Sequence, residues 1–97
     1  MIDVAKQYAI ALFSLASEKK QMDQMDVCFK AFIEGLDNNA WQFFLNPKVK
    51  DLDKHAVIEK VMDEKLFVDF LKVVINNKRF VILNDIAKSY KELLNEN

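Results

Sequence analysis

Glycine and proline each occur once in the 97 residues, as Gly35 and Pro47. A fold built from many tight turns between short strands needs more of both, so a β sandwich or barrel is excluded and helices are favoured. A single glycine also rules out a glycine-rich phosphate loop. A single cysteine, Cys28, permits no internal disulfide, and its neighbours Val27, Phe29 and Phe32 point to a buried, reduced thiol. The one histidine, His55, lies beside Asp53 and Lys54 with no cysteine or second histidine at metal-ligand spacing, so it reads as a solvated surface residue. No metal and no cofactor is expected.

Charge of one sign is also missing. Lysine and arginine number 14 against 15 acids, a net charge of −1, which gives no field for gripping a polyanion. Lys48, Lys50 and Lys54 are diluted by Asp51 and Asp53, and Lys78-Arg79 stands alone, so no nucleic acid is expected as a partner. No apolar run approaches the roughly 18 residues of a membrane-spanning helix, and no basic segment precedes the first apolar run as a secretory signal would require. These absences describe one cytosolic helical domain over residues 1–97, without membrane insertion.

What the chain has is apolar surface: 52% hydrophobic residues, eight of them phenylalanine. The spacing predicts six short helices. The first runs from Val4 to Glu18 with Asp3 as its N-cap. The second, Met22 to Leu36, aligns Met22, Met25, Phe29, Phe32, Ile33 and Leu36 on one face. A short third helix, Ala40 to Leu45, is capped by Asn39 and closed by Asn46-Pro47, where proline drives the preceding residue out of helical angles. A fourth, from Asp51 or Asp53 to about Met62, carries a stripe of Leu52, Ala56, Val57 and Val61. The fifth spans Leu66 to Asn76 and the sixth Phe80 to Leu94. The expected fold class is all-α, a compact bundle of six short helices.

Helices one and five are more apolar than one packing face requires. Tyr8 to Phe13 is an unbroken apolar run, and LFVDFLKVVI has only Asp69 and Lys72 as polar members. Two readings follow from the residues. Either both helices sit at the centre of the bundle, or they lie side by side and leave a shallow apolar groove for an amphipathic helix from another protein. A generic helical interaction module would satisfy the second reading. An enzyme would need a polar enclosed pocket, which nothing in the sequence announces.

The pattern Val4-Ala5-x-x-Tyr8-Ala9-x-Ala11-Leu12-Phe13-x-Leu15-Ala16 resembles the opening of the delta subunit of F-type ATP synthase, called the oligomycin-sensitivity-conferring protein in mitochondria. Phe44-Leu45-Asn46-Pro47, the apolar fifth helix and Asn76-Asn77-Lys78-Arg79-Phe80 fall in that family's order, the last where it often has Glu-Asn-Gly-Arg-Leu. Two positions depart from it. Lys78 stands where glycine is usual at a left-handed helix end, at a cost of about 1 kcal/mol if the turn is kept. Gln7 stands where a proline often precedes the tyrosine.

The resemblance implies the family's N-terminal six-helix domain, without the C-terminal part that meets the peripheral stalk, as in a truncated piece. It implies a non-catalytic stator adaptor, peripheral on the cytoplasmic face of the membrane, that serves proton-driven ATP synthesis. The implied partners are the N-terminal helix of an F1 alpha subunit, held between helices one and five, and the stalk's b subunit through the missing part. The expected groove residues are Tyr8, Ala11, Leu12 and Leu15 on one wall, and Phe70, Val73, Val74 and Asn77 on the other.

Overall fold

A computed structural model describes residues 3–96. Six α-helices follow one another: α1 (Val4–Glu18), α2 (Met22–Glu34), α3 (Asn38–Leu45), α4 (Asp51–Val61), α5 (Lys65–Asn76) and α6 (Leu83–Glu96), the last entered through a 3-10 turn at Phe80–Ile82. Among the described residues there is no strand. The radius of gyration, 12.9 Å, is that of a compactly folded chain of this length.

The helix ends follow local chemistry. Asp3 accepts the Lys6 amide at 3.3 Å and opens α1 as expected. The third helix is capped two residues earlier than the sequence suggests. Asp37, not Asn39, accepts the Ala40 amide at 2.8 Å, because a carboxylate in extended backbone suits the positive helix end better than an amide does. Helices α1 and α5 end alike. Lys20 and Lys78 take left-handed backbone, with φ of 57° and 60°. In each case the next amide bonds back across the last turn, Gln21 to the Ala16 carbonyl and Arg79 to that of Val74. This is the Schellman closure that glycine usually serves, here built twice with lysine. The single glycine, Gly35, ends α2 with an ordinary right-handed φ of −80°.

The core is aromatic. Phe29 meets Phe67 at 5.0 Å and Tyr90 at 5.4 Å between ring centroids, and Phe44 stacks on Phe80 at 4.8 Å. Trp41 closes this end by its edge contact with Phe80 at 5.3 Å. The Tyr90 hydroxyl is satisfied by donating to the Met22 carbonyl at 2.6 Å. Cys28 is buried beside this cluster, and burial, reinforced by Glu64 and Asp63, pushes its thiol up to about 11.

Helix α4 corrects the sequence reading. Leu52 and Val61 are 76% and 58% exposed, and Ala56 is exposed too, so of the expected stripe only half-buried Val57 packs against the core. The row that packs is Lys54 and Ile58, four residues apart on another side of the helix. Selecting by residue type missed it because a lysine leads that row, and its long aliphatic stem buries like an apolar side chain. His55 is half-buried rather than freely solvated, and its ring nitrogen lies 2.9 Å from the Asn76 carboxamide oxygen at the end of α5.

Candidate functional site: an apolar flank shared by two helices

The two readings of α1 separate once its neighbours are known. Its most extensive packing is against α6, with α2 next. The residues turned inward are Ala5, Ala9, Leu12 and Ala16, all within one sector of the helix. Three alanines in that sector let α6 approach closely, and the bulky apolar residues fall to either side. Phe13 lies on one side and meets Tyr90 at 5.8 Å. On the other lie Tyr8, Ala11 and Leu15, spaced three and four apart, which at about 100° per residue forms one strip along the helix. Tyr8 is half-buried, Ala11 exposed and Leu15 47% exposed. Ile10, 48% exposed, is set apart on the far side and belongs to no strip.

Helix α5 repeats the arrangement. Phe67, Val68, Leu71, Val74 and Ile75 are buried, while Leu66 and Phe70 are half-buried and Val73 is 49% exposed. Asn77, the C-cap residue, ends the strip that Leu66, Phe70 and Val73 begin. Tyr8 joins the two helices. Its ring meets Phe70 edge-on at 6.4 Å, and its hydroxyl accepts a hydrogen bond from the Asn77 amide nitrogen at 2.8 Å. A tyrosine anchored at both ring and hydroxyl presents a fixed surface, which lowers the entropy cost of covering it.

Six of the eight expected residues therefore border this flank: Tyr8, Ala11, Leu15, Phe70, Val73 and Asn77. The other two do not. Leu12 and Val74 are 1% and 0% exposed and lie in the core beneath the flank, so neither can form a wall. Each lies next to the strip on its helix, and adjacency on a helical wheel does not tell a rim residue from a core one when the apolar arc is this wide. Leu66 was missed, although its spacing of four from Phe70 was the available signal. The helices are also less intimate than expected, since α1 packs on α6 and α2 and meets α5 through Tyr8.

The chemistry such a flank supports is contact, not reaction. Among the described residues there is no group of three or more His, Cys, Asp and Glu side chains that could hold a metal ion, and no helix is long and apolar enough to cross a membrane.

Known proteins share the pattern across this chain. The ATP synthase subunit delta of Trichodesmium erythraeum is 34% identical over 99 residues, covering 97% of this chain and 54% of its own length. That of Brevibacillus brevis is also 34% identical, over 96% of this chain and 56% of its own. The chain thus spans about half the length of these relatives. Among solved structures, a chain in the cryo-EM structure of the Polytomella F-ATP synthase superposes with a TM-score of 0.83 at 18% identity, over 97% of this chain and 88% of that one, which shows the shared fold. The family profile described as ATP synthase delta (OSCP) subunit matches residues 4–97. This chain belongs to the ATP synthase delta (OSCP) family.

Proposed function

We propose that this domain is a non-catalytic stator adaptor that binds the N-terminal helix of an F1 alpha subunit along the flank shared by α1 and α5. The observation that carries the reading is the pair of apolar strips, Tyr8, Ala11 and Leu15 beside Phe70 and Val73, exposed or only half-buried on two helices in a chain of this family. An amphipathic helix would set its own apolar residues, three and four apart, against these strips. Asn77 and the Tyr8 hydroxyl would receive its polar edge. Covering a few hundred Å² of apolar surface at about 25 cal/mol/Å² offers several kcal/mol before the costs of association.

The task is mechanical. Torque from a rotating central stalk acts on the catalytic head, and a stator must hold that head still. This domain would clamp the head, while the C-terminal half of full-length family members would reach the b subunit of the peripheral stalk. The assembly would lie against the cytoplasmic face of the membrane during proton-driven ATP synthesis, with this domain outside the bilayer. No side chain has to react.

The test is an NMR titration with a peptide of the cognate alpha-subunit N-terminus. Trp41 packs on Phe80 rather than on this flank, so its fluorescence is a poor reporter. Shifts should cluster on Tyr8, Leu15, Phe70 and Val73. Ala11→Leu places a bulky side chain on an exposed close-approach position and should weaken binding at least about tenfold with thermal stability unchanged. Equal binding by Ala11→Leu would misplace the groove. A partner helix that binds the flank when the alpha peptide does not would leave a generic interaction module.

A further inference from the structure

Lys54 is 5% exposed and is the one charged side chain buried among the described residues. It makes no hydrogen bond or ion pair there. The acid that feels its charge, Asp51, has both carboxylate oxygens hydrogen-bonded to the Lys78 amine, at 2.9 and 3.0 Å. No buried side-chain nitrogen among the described residues is sealed off without a partner, so the Lys54 amine keeps access to open space. Lys54 borders a cavity of about 420 Å³ whose walls include Phe44, Leu45, Ile75, Lys78, Phe80 and Val81. It lies at the junction of α3, α4, the end of α5 and the 3-10 turn, and shares no lining residue with the flank described above.

Two lysines, Lys54 and Lys78, border this cavity, and one acid, Asp51, answers them, so the mouth carries an excess positive charge. The Asp51–Lys78 pair is internally neutral, which leaves Lys54 as the net charge facing the cavity. The size falls in the range of small-molecule sites, and mostly apolar walls with a few polar groups, here Lys54 and Lys78, are their usual make-up. A lysine amine is a compact point charge that pairs with a single anionic oxygen and does not demand the forked geometry of a guanidinium.

We infer that this cavity binds a small amphipathic carboxylate, its carboxylate on the Lys54 amine and its hydrocarbon body against Phe44, Ile75 and Phe80. The inference is independent of the adaptor reading, since no residue of the α1–α5 flank lines the cavity.

The experiment is an NMR titration of the domain with octanoate, octanol and acetate in parallel. Octanoate should shift Lys54, Ile75 and Phe80 and bind at least about tenfold more tightly than octanol, the difference a charge-assisted hydrogen bond supplies. Acetate, which lacks the hydrocarbon body, should not shift these residues at the same concentrations. Lys54→Met keeps the length of the stem and removes the charge, and should bind octanoate and octanol alike. Should that variant fail to fold, Val81→Glu provides a second arm. Val81 lines the cavity and is 67% exposed, so a carboxylate there should be tolerated by the fold and should repel octanoate, weakening it about tenfold. Equal affinities for octanoate and octanol in the native domain would overturn the assignment. So would octanoate binding unchanged in either variant, or shifts centred elsewhere.

Discussion

Helices α1 and α4 relate residue type to position in nearly opposite ways. Helix α1 turns alanines inward, Ala5, Ala9 and Ala16, and leaves Ile10 and Leu15 about half exposed. Helix α4 buries a lysine beside Ile58 and leaves Leu52 almost bare. In both, the row that packs is chosen by how closely the neighbour approaches, and hydrophobicity decides only among the rows that remain. Against α6 the closest approach calls for small residues, because interaxial distance is set by the side chains at the contact. The bulky residues of α1 are displaced to its sides, where Phe13 meets Tyr90, Tyr8 is half-buried and Leu15 is exposed. Surplus apolar surface on α1 is thus a product of its alanine seam.

The largest effects should come from substitutions that exchange these roles. Leu12→Ala and Ile58→Ala remove side chains that are 1% and 0% exposed and should each cost about 2–5 kcal/mol in urea unfolding. Ala9→Leu would force a branched side chain into the α1–α6 seam, at about 1–3 kcal/mol. Leu15→Ala and Leu52→Ala should each stay within about 0.5 kcal/mol. The two exposed leucines then part company in binding, because only Leu15→Ala should weaken the partner helix. A loss of stability from Leu15→Ala matching that of Leu12→Ala would erase the distinction between seam and flank.

The next effect concerns how the helices end. Lys20 and Lys78 occupy the same left-handed position of the same closure, but only Lys78 is tied down, by its amine on Asp51. Lys20→Gly should therefore stabilise the domain by about 0.5–1 kcal/mol, relief of the left-handed side chain outweighing the added freedom of the unfolded chain. Lys78→Gly should gain less, since the same relief comes with loss of the Asp51 contact. Thermal unfolding of the two variants side by side reads the difference.

These contrasts show what a linear sequence can and cannot carry. The six helices were legible because capping acids and apolar spacing are local, and the left-handed turn at Lys78 was legible through the family pattern. The equivalent turn at Lys20 was not, since a lysine there carries no local signal for left-handed backbone. Six of eight flank residues were legible for the same reason as the helices. Leu12 and Val74 were misplaced because their depth depends on α6 and the other neighbours, which spacing within one helix does not contain. Lys54 was invisible to any rule that ranks residues by polarity, because it is the length of its stem that fits the gap.

The smallest expected effect separates the two regions by pH. Around α2 and α6, behind the α1 seam, burial raises Cys28 from 9.0 to about 11 and Tyr90 from 10.0 to about 12. Both groups are held neutral by the fold, so their contribution is whole below pH 9 and is lost as pH climbs through 11 and 12. Helix α4 is tied to α5 and the turn that follows it by acids instead. The Lys78 hydrogen bond lowers Asp51 below 3.8, and the Lys72 hydrogen bond lowers Glu59 below 4.5. A lowered carboxylate stabilises above its unfolded value and loses that contribution as pH falls through its folded value, so this tie loosens only on the acid side. Both carboxylates face water, where screening by solvent and salt keeps such pairs weak. Amide exchange in α4 should therefore quicken slightly below pH 4 and respond to salt, while the α1–α6 seam holds until the alkaline limb. If the seam opened first in acid, α4 would be anchored by its buried Ile58 row alone, and the ion pairs at its two ends would contribute nothing.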